Sequence, residues 1–447
     1  MVRILSLALS LFAFSLQGMA DFKEGSLIRD AEIEGILKSY ISPIFETAGL
    51  NPKDLNLFLV ITKEVNASAS SNHTIFINTG IILKMKNASQ LIGVLAHETS
   101  HISGGHVVRF QKVMDNASLE HIIAMVLGGA AAAASGKPEA GMAVFLGGSH
   151  FALANLFRYS QGQEGAADQG AIRILEKLGW SSKGLEEFLS VLMEKEIFAE
   201  SRQDGYMRTH PLSRDRVESI KNHIAQSQYS KSSLPPGFDE KFTLMQTKLR
   251  AFIEPVGRVL LNNKESSIDP LVHYARAIAQ YRRADHDLAL KEIEGLIAQS
   301  SENPFYWELK GQILFDSGNI KEAERAYARA VDLAPQEPLL RLLWAQTLIE
   351  SNDPQNFEKA QTELLRSKTD EKTNPLTWQL LAVVYGKSNQ LGLLALSLAE
   401  KHFLTGQLKE AIQQAKRSQQ TLKKDSIEYV RAQEILDQAQ EIEKKSK

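Results

Sequence analysis

The sequence predicts a predominantly helical α+β protein in which a domain with a small sheet is followed by an α-solenoid. Three observations carry this prediction. Residues 21–226 mix helical and strand-like patterns, a stretch rich in Ser, Pro and Gly follows, and prolines then recur at a near-constant interval. We therefore expect a first domain over residues 21–226, a linker and connecting helix over 227–265, and repeats over 266–440.

The composition of the 447-residue chain excludes several classes of function. Lys plus Arg number 51 and Asp plus Glu number 53, so the net charge of −2 supplies no field that would attract nucleic acid. The chain contains no cysteine, which excludes disulfides, cysteine-ligated zinc fingers, thiol nucleophiles and iron–sulfur clusters. A bound metal would therefore need histidine and carboxylate ligands.

The first twenty residues have the pattern of a cleaved export signal. Arg3 precedes a run of thirteen apolar or small residues from Ile4 to Leu16, and Gly18 and Ala20 flank Met19. We expect cleavage before Asp21 and a mature protein in the periplasm of a Gram-negative bacterium, an oxidising space that suits a cysteine-free chain. The alternative is an uncleaved anchor, although the run is shorter than the roughly 20 residues that span a bilayer.

Hydrophobic patterns predict the elements of the first domain in chain order. They are a helix over the apolar positions from Leu27 to Ile41, strands at Leu57–Thr62 and Thr74–Asn78, and a helix beginning near Ala88. Asn87 is the expected N-cap of this second helix, and Gln90 makes a variant of the capping box. The first domain is thus expected to combine helices with a small sheet.

Residues 122–148 are almost free of charge, and two interpretations of them stay open. The segment consists of two apolar limbs separated by a Ser-Gly-Lys-Pro-Glu break, and each limb is shorter than a membrane span. The preferred interpretation is a buried or capped hydrophobic hairpin. The other is a lip that faces a membrane or a substrate, in which case any membrane contact would be peripheral.

The C-terminal part repeats with a period of about 34 residues. Pro270, Pro304 and Pro338 are 34 residues apart, and Pro375 follows 37 residues after Pro338, as if three residues were inserted. The unit that best fits a tetratricopeptide repeat has matching residues at Trp307, Gly311, Ala323, Tyr327, Ala330 and Pro335, whereas Lys310 replaces the expected apolar residue. We expect about four units between Asp269 and Leu422, which together build a concave peptide-binding surface.

The segment His97-Glu98-Thr99-Ser100-His101 is the motif that carries chemistry. On a helix, His97 and His101 lie one turn and about 40° apart, so both imidazoles can reach one metal ion. Glu98 lies about 100° from His97, at the edge of that face, where a carboxylate can deprotonate a metal-activated water without binding the ion. The motif therefore predicts a metal site with Glu98 as general base.

A catalytic zinc needs a third protein ligand, and the sequence offers two candidates. His106 lies about 180° around a continuous helix from the first histidine of the motif, and reaches the metal only if Gly104-Gly105 breaks that helix. Glu164 fits better. Asp168 one turn later can hydrogen-bond a ligand histidine, and the small residues Gly165, Ala166 and Ala167 allow a close helix approach.

The HETSH motif together with Glu164 and Asp168 resembles the gluzincin metalloproteases related to HtpX and the CAAX prenyl endoproteases. The resemblance implies a zincin-type fold with one zinc ion per chain, held by His97, His101 and Glu164. It also implies that Glu98 is the general base and that the histidine at position 106 lies outside the metal shell.

Two further segments are interpreted through this resemblance. Thr209-His210-Pro211-Leu212, followed by Arg216, resembles the His-Pro segment of the family. His210 is accordingly expected to stabilise the transition state or to act as a fourth, inhibitory metal ligand, and Arg216 to anchor the loop. Asn66 to Ala69, with the strand Thr74–Asn78, resembles the edge on which an extended substrate adds as a strand. A polar SASSN stretch replaces the usual aromatic and Gly-rich residues there.

The sequence features and the family resemblance together lead to two functional hypotheses, in which the partner of the repeats is implied by the resemblance alone. The first is a periplasmic zinc endopeptidase that acts on unfolded or misassembled envelope proteins, with repeats that dock the substrate or the outer-membrane assembly machinery. The second is a repeat-based chaperone or scaffold whose metal site is silent or held shut by His210. The intact motif residues His97, Glu98 and His101 favour the enzyme.

Overall fold

The computed structural model describes residues 11–13, 24–70, 72–106, 108–109, 161–197, 206, 210 and 212–445. The chain divides into two compact units, Gly35–Gln246 and Met1–Glu34 with Thr247–Lys447, which are called the sheet unit and the repeat unit below. The predicted mainly helical α+β chain with a small sheet is confirmed. The apolar segment 122–148 lies outside the described residues, and the predicted domain limits and export signal stay predictions.

The N-terminal elements are two short strands and a helix. Strand β1 (Leu11–Ala13) pairs in parallel with β2 (Leu27–Arg29), and helix α1 (Ala31–Thr47) follows. The prediction of a helix from Leu27 is therefore wrong for its first residues. The helix begins only after Asp30, whose carboxylate accepts a hydrogen bond of 2.8 Å from the Ile33 amide and so satisfies a free N–H group of the first turn.

The sheet unit contains three strands, and the last of them in the chain lies between the other two. They are β3 (Asn56–Val60), β4 (Ala67–Ser70) and β5 (Thr74–Asn78). Strand β5 pairs in parallel with β3 and antiparallel with β4, in the register Ala67↔Ile77 and Ala69↔Ile75. Ile75 and Ile77 are fully buried, so β5 lies in the core. Strand β4 comes last in the strand order and therefore forms an edge of the sheet.

The helices of the sheet unit include the predicted motif helix. They are α2 (Thr79–Lys84), α3 (Ala88–Ser103), α4 (161–177), α5 (Lys183–Ile197), α6 (Arg214–Gln226) and the first part of α7 (Phe238–Ile253). The predicted start of α3 is confirmed, since the Asn87 side chain accepts a hydrogen bond from the Gln90 amide. The Gln90 side chain accepts in return from the Lys86 amide, one residue before the position that a capping box uses.

The repeat unit continues with α8 (Val256–Asn262) and pairs of antiparallel helices. The pairs are α9 (Pro270–Arg282) with α10 (His286–Gln299), α11 (Pro304–Asp316) with α12 (Ile320–Leu333), α13 (Pro338–Glu350) with α14 (Pro354–Asp370), and α15 (Pro375–Lys387) with α16 (Leu391–Leu404); α17 (Leu408–Gln419) and α18 (Ile427–Lys445) follow. Each periodic proline begins the first helix of a pair. An N–H group in the first turn of a helix has no partner within that helix, so a proline costs no hydrogen bond there. Helix α14 has 17 residues, whereas α10, α12 and α16 have 14, so the three extra residues predicted from the proline spacing lengthen that helix.

The repeat signature packs as its spacing predicts. Ala323, Tyr327 and Ala330 are buried between the helices of their pair. A Cβ atom on Gly311 would lie 3.0 Å from the Tyr327 ring, so only glycine allows this close approach without a shift. Lys310 lies at the predicted exception, with its ammonium 2.7 Å from Glu294 and near the face of the Trp307 ring.

A buried group of charges, called the N-terminal cluster here, joins the first segment of the chain to the repeats within the repeat unit. Its members are Arg29, Asp30, Glu32, Glu34, Lys248, Tyr274, Glu308 and Glu371. The Lys248 ammonium lies 2.8 Å from Asp30 Oδ2 and 3.0 Å from Glu32 Oε2. Arg29 binds Glu371 at 2.6 Å, so residues 342 positions apart in the chain meet in one ion pair.

Glu308 is the member of the N-terminal cluster with an incomplete set of contacts. It lines a cavity of about 20 Å³ beside Arg29, Lys248 and Gln312, and its Oε2 atom has no hydrogen-bond partner among the described residues. Burial raises the pKa of Glu308 to about 8; the Lys248 ammonium opposes this rise, and nearby carboxylates add to it. The Glu308 carboxyl group is therefore protonated in the folded protein over a wide range of pH.

Within the described ranges, no helix combines the length and the apolar character that crossing a bilayer requires.

Candidate metal centre

Helix α3 presents the two histidines of the motif to one point. His97 is fully buried and His101 nearly so. Their Nε2 atoms lie 3.0 Å apart, as expected for two imidazoles one helical turn apart that face the same place. The two rings meet edge to face, with centroids 4.7 Å apart, which leaves both Nε2 atoms accessible to a shared cation.

Helix α4 supplies the carboxylates that the sequence singled out. Glu164 places Oε2 3.3 Å from His97 Nε2 and Oε1 3.3 Å from His101 Nε2. Asp168, one turn later, lies 2.9 Å from Nδ1 of His97, on the side of the ring that faces away from Glu164. The predicted pairing of Asp168 with a motif histidine is therefore present, and it fixes the orientation of that ring.

The close approach of α4 to α3 depends on a glycine that was not predicted. A Cβ atom on Gly170 would lie 2.7 Å from the Ser100 hydroxyl, so a larger residue would push the helices apart. Gly165 has open space around it and Ala166 is exposed, so the interpretation that these two residues allow the approach is wrong. They fall on the outer face of α4, whereas Ala167 is buried as expected.

His210 completes a set of four converging side chains. Its Nδ1 atom lies 3.4 Å from His97 Nε2 and 3.2 Å from Glu164 Oε2. The Tyr206 ring stacks on the His210 ring at a centroid distance of 4.5 Å, and the Tyr206 amide donates to the Val65 carbonyl just before β4. Among the described residues, His97, His101, Glu164 and His210 each offer one ligand atom within 4.8 Å of the others, and this set is called the metal centre below.

Arg216 binds both carboxylates of α4. Its Nε and Nη2 atoms donate to the two oxygens of Asp168 at 2.7 and 2.9 Å, and Nη1 lies 3.0 Å from Glu164 Oε2. This bidentate geometry is specific to a guanidinium group. The sequence predicts that Arg216 anchors the loop of His210, and this stays a prediction. The Arg216 side chain binds Asp168 and Glu164, where it supplies one buried positive charge.

Glu98 lies beside the metal centre but outside the four-residue set. Its side chain is fully buried, and Oε2 accepts a hydrogen bond of 2.8 Å from the Ala69 amide on strand β4. The other oxygen, Oε1, is 3.5 Å from Nε2 of His210, which also lies 3.2 Å from the Ala67 carbonyl oxygen. A carboxylate in this position can take a proton from a group at the metal centre while leaving the ligand positions to other residues.

The electrostatics of the metal centre favour a bound cation. Burial raises the pKa of Glu164, but contacts with His101, His210 and His97 outweigh it and hold that pKa well below its usual range. Burial likewise raises the pKa of Asp168, and contacts with His97 and Arg216 lower it further than burial raises it. Burial lowers the pKa of His97, yet its contacts with Asp168 and Glu164 raise it to about 10. The carboxylates therefore stay ionised at neutral pH and stabilise positive charge at the imidazole.

His106 lies outside the donor set, as the family resemblance implies. Helix α3 ends at Ser103 and Gly105 has φ +64°, so the chain does turn at Gly104-Gly105. The turn places His106 Nδ1 3.1 Å from Nδ1 of His101, the ring nitrogen that faces away from the metal centre. The turn thus occurs without making His106 a member of the set, and burial together with the neighbouring His101 lowers the pKa of His106 to about 4.

Three contributors to the site are not identified by their residue type: the Tyr206 ring, the Ala67 carbonyl and the Ala69 amide. Tyr206 stacks on His210, but a tyrosine four residues before a His-Pro pair has no recognised meaning. The Ala67 carbonyl and Ala69 amide act through the backbone, so their residue type carries no information. The resemblance of residues 66–69 to a substrate-pairing edge was the one available pointer to them.

Comparison with known proteins defines the class of protein. The model of peptidase family M48 matches residues 29–224, and the model of the TPR domain of cytochrome c-type biogenesis protein H matches residues 285–429. The chain therefore combines a peptidase M48 domain with a tetratricopeptide domain, and the resemblance inferred from the motif is confirmed. The site just described lies within the first match.

Several relatives with known names are similar to this chain. A protein of Escherichia coli (strain K12) named beta-barrel assembly-enhancing protease, or BepA, is 25% identical over 435 residues, which cover 94% of this chain and 86% of that protein. Metalloprotease LoiP of the same strain is 27% identical over 176 residues, 39% of this chain and 65% of its own. A thermophilic TPR protein of Thermus thermophilus aligns with 44% of this chain and 94% of its own at 18% identity and a TM-score of 0.26. The family and the relatives' names together support a metalloprotease, and the family implies a metal cofactor.

Proposed function

We propose that this protein is a zinc-dependent endopeptidase of the gluzincin class that acts in the periplasm on unfolded or misassembled envelope proteins. The observation that carries the proposal is the convergence of His97, His101 and Glu164 on one point, with the buried carboxylate of Glu98 beside it. Helix α3 and helix α4 hold these groups on rigid backbone, which catalysis requires of its reacting groups.

The donor set fits one zinc ion per chain. Zn–N and Zn–O bonds of about 2.0–2.1 Å in a tetrahedral arrangement place neighbouring ligand atoms about 3.3 Å apart. The ligand atoms of His97, His101, Glu164 and His210 are separated by 3.0–3.4 Å where they are nearest neighbours. Nitrogen and carboxylate donors without thiolates suit zinc among the available divalent metals. When bound, zinc would polarise the peptide carbonyl and lower the pKa of a water molecule.

Glu98 would act as general base and then as general acid. Its carboxylate would accept the proton of the attacking water and deliver it to the leaving amine, a role that typically contributes about 10²- to 10⁴-fold to the rate. Asp168 and Arg216 would keep the ligand side chains in place, because they bind His97 and Glu164 from behind.

His210 would control access to the fourth ligand position. Its Nδ1 atom lies within 3.4 Å of His97 Nε2 and Glu164 Oε2, which supports the predicted role of a fourth, inhibitory ligand. A rotation of this ring away from Glu164 would open the position and leave His210 Nε2 near the reacting carbonyl, which is the other predicted role. The Tyr206 ring, stacked on His210, would stabilise the closed position.

The repeats would recruit substrate or dock the enzyme on outer-membrane assembly machinery. The name of the BepA relatives, which match this chain over 94% of its length, supports a role in β-barrel assembly. A neutral overall charge gives no reason to expect nucleic acid. Export to the periplasm rests on the predicted signal over residues 1–20.

Metal analysis and casein cleavage by the wild type and two variants test this proposal. We expect one zinc per chain in all three proteins, cleavage lost in Glu98→Gln, and cleavage increased in His210→Ala. Glu186→Gln, on helix α5 outside the metal centre, is a matched control that should behave as wild type. Absence of bound metal would show that the ligand assignment is wrong.

The second candidate function is a chaperone or scaffold with a latent metal site. The position of His210 inside the donor set favours it, because a filled fourth position leaves no room for substrate. Zinc binding without cleavage by wild type, Glu98→Gln or His210→Ala would support this candidate over the endopeptidase.

A further inference from the structure

The outer edge of strand β4 is defined by its hydrogen-bond pattern with β5. The Asn78 amide donates to the Asn66 carbonyl, so Asn66 and Asn78 form a hydrogen-bonded pair of the antiparallel ladder. Such pairs alternate along the strand, and Ser68 is therefore the next residue bonded to β5. Ala67 and Ala69 lie between these pairs and direct their N–H and C=O groups away from β5.

Side chains of the candidate site bind both of these outward groups. Ala69 N–H donates to Glu98 Oε2 at 2.8 Å, and the Ala67 carbonyl oxygen lies 3.2 Å from Nε2 of His210. The edge that an extended peptide would use is thus partly occupied by two residues with proposed roles in the reaction. Glu98 is fully buried, so its contact with Ala69 is shielded from water.

The two contacts differ in whether they can be shared. A carbonyl oxygen has two lone pairs, so Ala67 can accept from His210 and from a peptide N–H at the same time. A single N–H makes one good hydrogen bond, so Ala69 can donate either to Glu98 or to a peptide carbonyl. Glu98 and a bound strand therefore compete at Ala69.

We propose that Glu98 Oε2 occupies the Ala69 amide in the resting protein, and that an extended segment of a substrate displaces it from this amide when the segment adds to β4. This inference rests on the proposed endopeptidase function and names Ala69 as a positioning residue that couples substrate pairing to the base. The displacement releases Glu98 Oε2 from its contact with the backbone at the moment the substrate backbone is in place. Folded proteins, which cannot offer an unpaired strand, would leave the base bound.

Amide hydrogen exchange tests the resting contact without any need for catalysis. In the full-length, metal-loaded protein, we expect the Ala69 amide to exchange slowly in the wild type and in Glu98→Gln, which retains an acceptor oxygen. In Glu98→Ala the same amide should exchange at least about tenfold faster, because a hydrogen bond worth about 1.4 kcal/mol changes an equilibrium tenfold. Equal exchange in all three proteins would overturn the proposal.

Peptide affinity tests the competition. Glu98→Ala and Glu98→Gln both lack the base, so fluorescein-labelled β-casein can be titrated against each without cleavage. We expect casein to bind about tenfold more tightly to Glu98→Ala, since no side chain competes for the Ala69 amide. Ala69→Pro removes that N–H without removing a bond to β5, and proline is tolerated at such outward positions of edge strands. In the Ala69→Pro background the two Glu98 variants should bind casein equally.

The outcomes separate this inference from the function on which it rests. Equal affinity of Glu98→Ala and Glu98→Gln for casein, or a difference that persists with Ala69→Pro, would overturn the competition and leave the endopeptidase proposal standing. Absence of casein binding by every variant would overturn both.

Discussion

Each of the two units buries a group of charged side chains, and the two groups differ in how their negative charges are compensated. In the N-terminal cluster, Lys248 and Arg29 supply positive charge from the chain, and burial raises the pKa of Glu308 to about 8, so that a proton neutralises this acid. In the metal centre, the pKa values of Glu164 and Asp168 are lowered, so these carboxylates stay charged.

This difference distinguishes a structural cluster from a binding site. Glu164 and Asp168 stay charged beside the imidazoles, an arrangement that can hold a cation in place of the proton on His97. The N-terminal cluster instead sets the cations Arg29 and Lys248 against its acids, and Glu308 takes up a proton. Buried carboxylates with lowered pKa values and converging imidazoles are therefore the more informative sign of function.

Replacing a proposed ligand should have the largest effect, and only on the metal centre. For Glu164→Gln we expect loss of bound zinc and a fall in casein cleavage of at least about 10³-fold, because the Lewis acid is worth several kcal/mol to the reaction. Metal content by mass spectrometry and initial cleavage rates check this. Glu176→Gln on the same helix is the control, and equal metal content in both variants would contradict the ligand assignment.

Removing a cation from the N-terminal cluster should instead destabilise the repeat unit. Lys248→Met leaves Asp30 and Glu32 without their ammonium partner, and breaking such a buried pair costs about 3–5 kcal/mol of unfolding free energy. Urea unfolding measures this cost, with the exposed Lys241→Met on α7 as control. A loss of zinc with unchanged stability would reverse the roles assigned to the two clusters.

A milder change at the metal centre sharpens the comparison. Arg216→Lys keeps the charge but loses the bidentate contact with Asp168, so we expect about 10- to 100-fold weaker zinc affinity with little change in the urea midpoint. Competition with a zinc chelator measures the affinity. The exposed Arg214→Lys variant should match the wild type. An unchanged zinc affinity in Arg216→Lys would show that the bidentate contact with Asp168 is dispensable.

The smallest expected effect, when it is taken per pH unit, is a pH dependence of stability that arises from Glu308. Its folded pKa of about 8 lies above the roughly 4.3 of an unfolded glutamate. The native state therefore binds more protons between these values, and stability falls as pH rises from 5 to 8, by up to about 1.4 kcal/mol per pH unit. Urea midpoints at several pH values should show this slope in the wild type and the exposed control Glu358→Gln, but not in Glu308→Gln. A slope that persists in Glu308→Gln would assign it to another group.

The local features of the fold were predictable from the sequence, and the long-range ones were not. Strand Thr74–Asn78, the Asn87 cap and the repeat prolines follow from neighbouring residues and match the structure. The start of α1 differs because Asp30 caps the helix later than the apolar pattern suggests. The N-terminal cluster left no sequence signal, since Arg29 and Glu371 are 342 positions apart.

The candidate site likewise has some residues that the sequence predicted and others that it did not. Motif spacing and family resemblance together brought His97, His101, Glu164, Asp168 and His210 to attention, and the structure places all five within one group of contacts. The positive φ of Gly105, the close approach at Gly170 and the backbone groups of β4 depend on how the elements meet. Their roles in catalysis stay predictions.

The ion pair between Arg29 and Glu371 can form only late in the synthesis of the chain. Synthesis proceeds from the N-terminus, so 342 further residues must be added after Arg29 before Glu371 is present. At about 5–20 residues per second this wait is roughly tens of seconds, and the pairing is among the slow, non-local contacts. A chain that stops short of residue 371 never forms this pair. The first segment of the protein can therefore complete its contacts only after helix α14, which ends directly before Glu371, has been made.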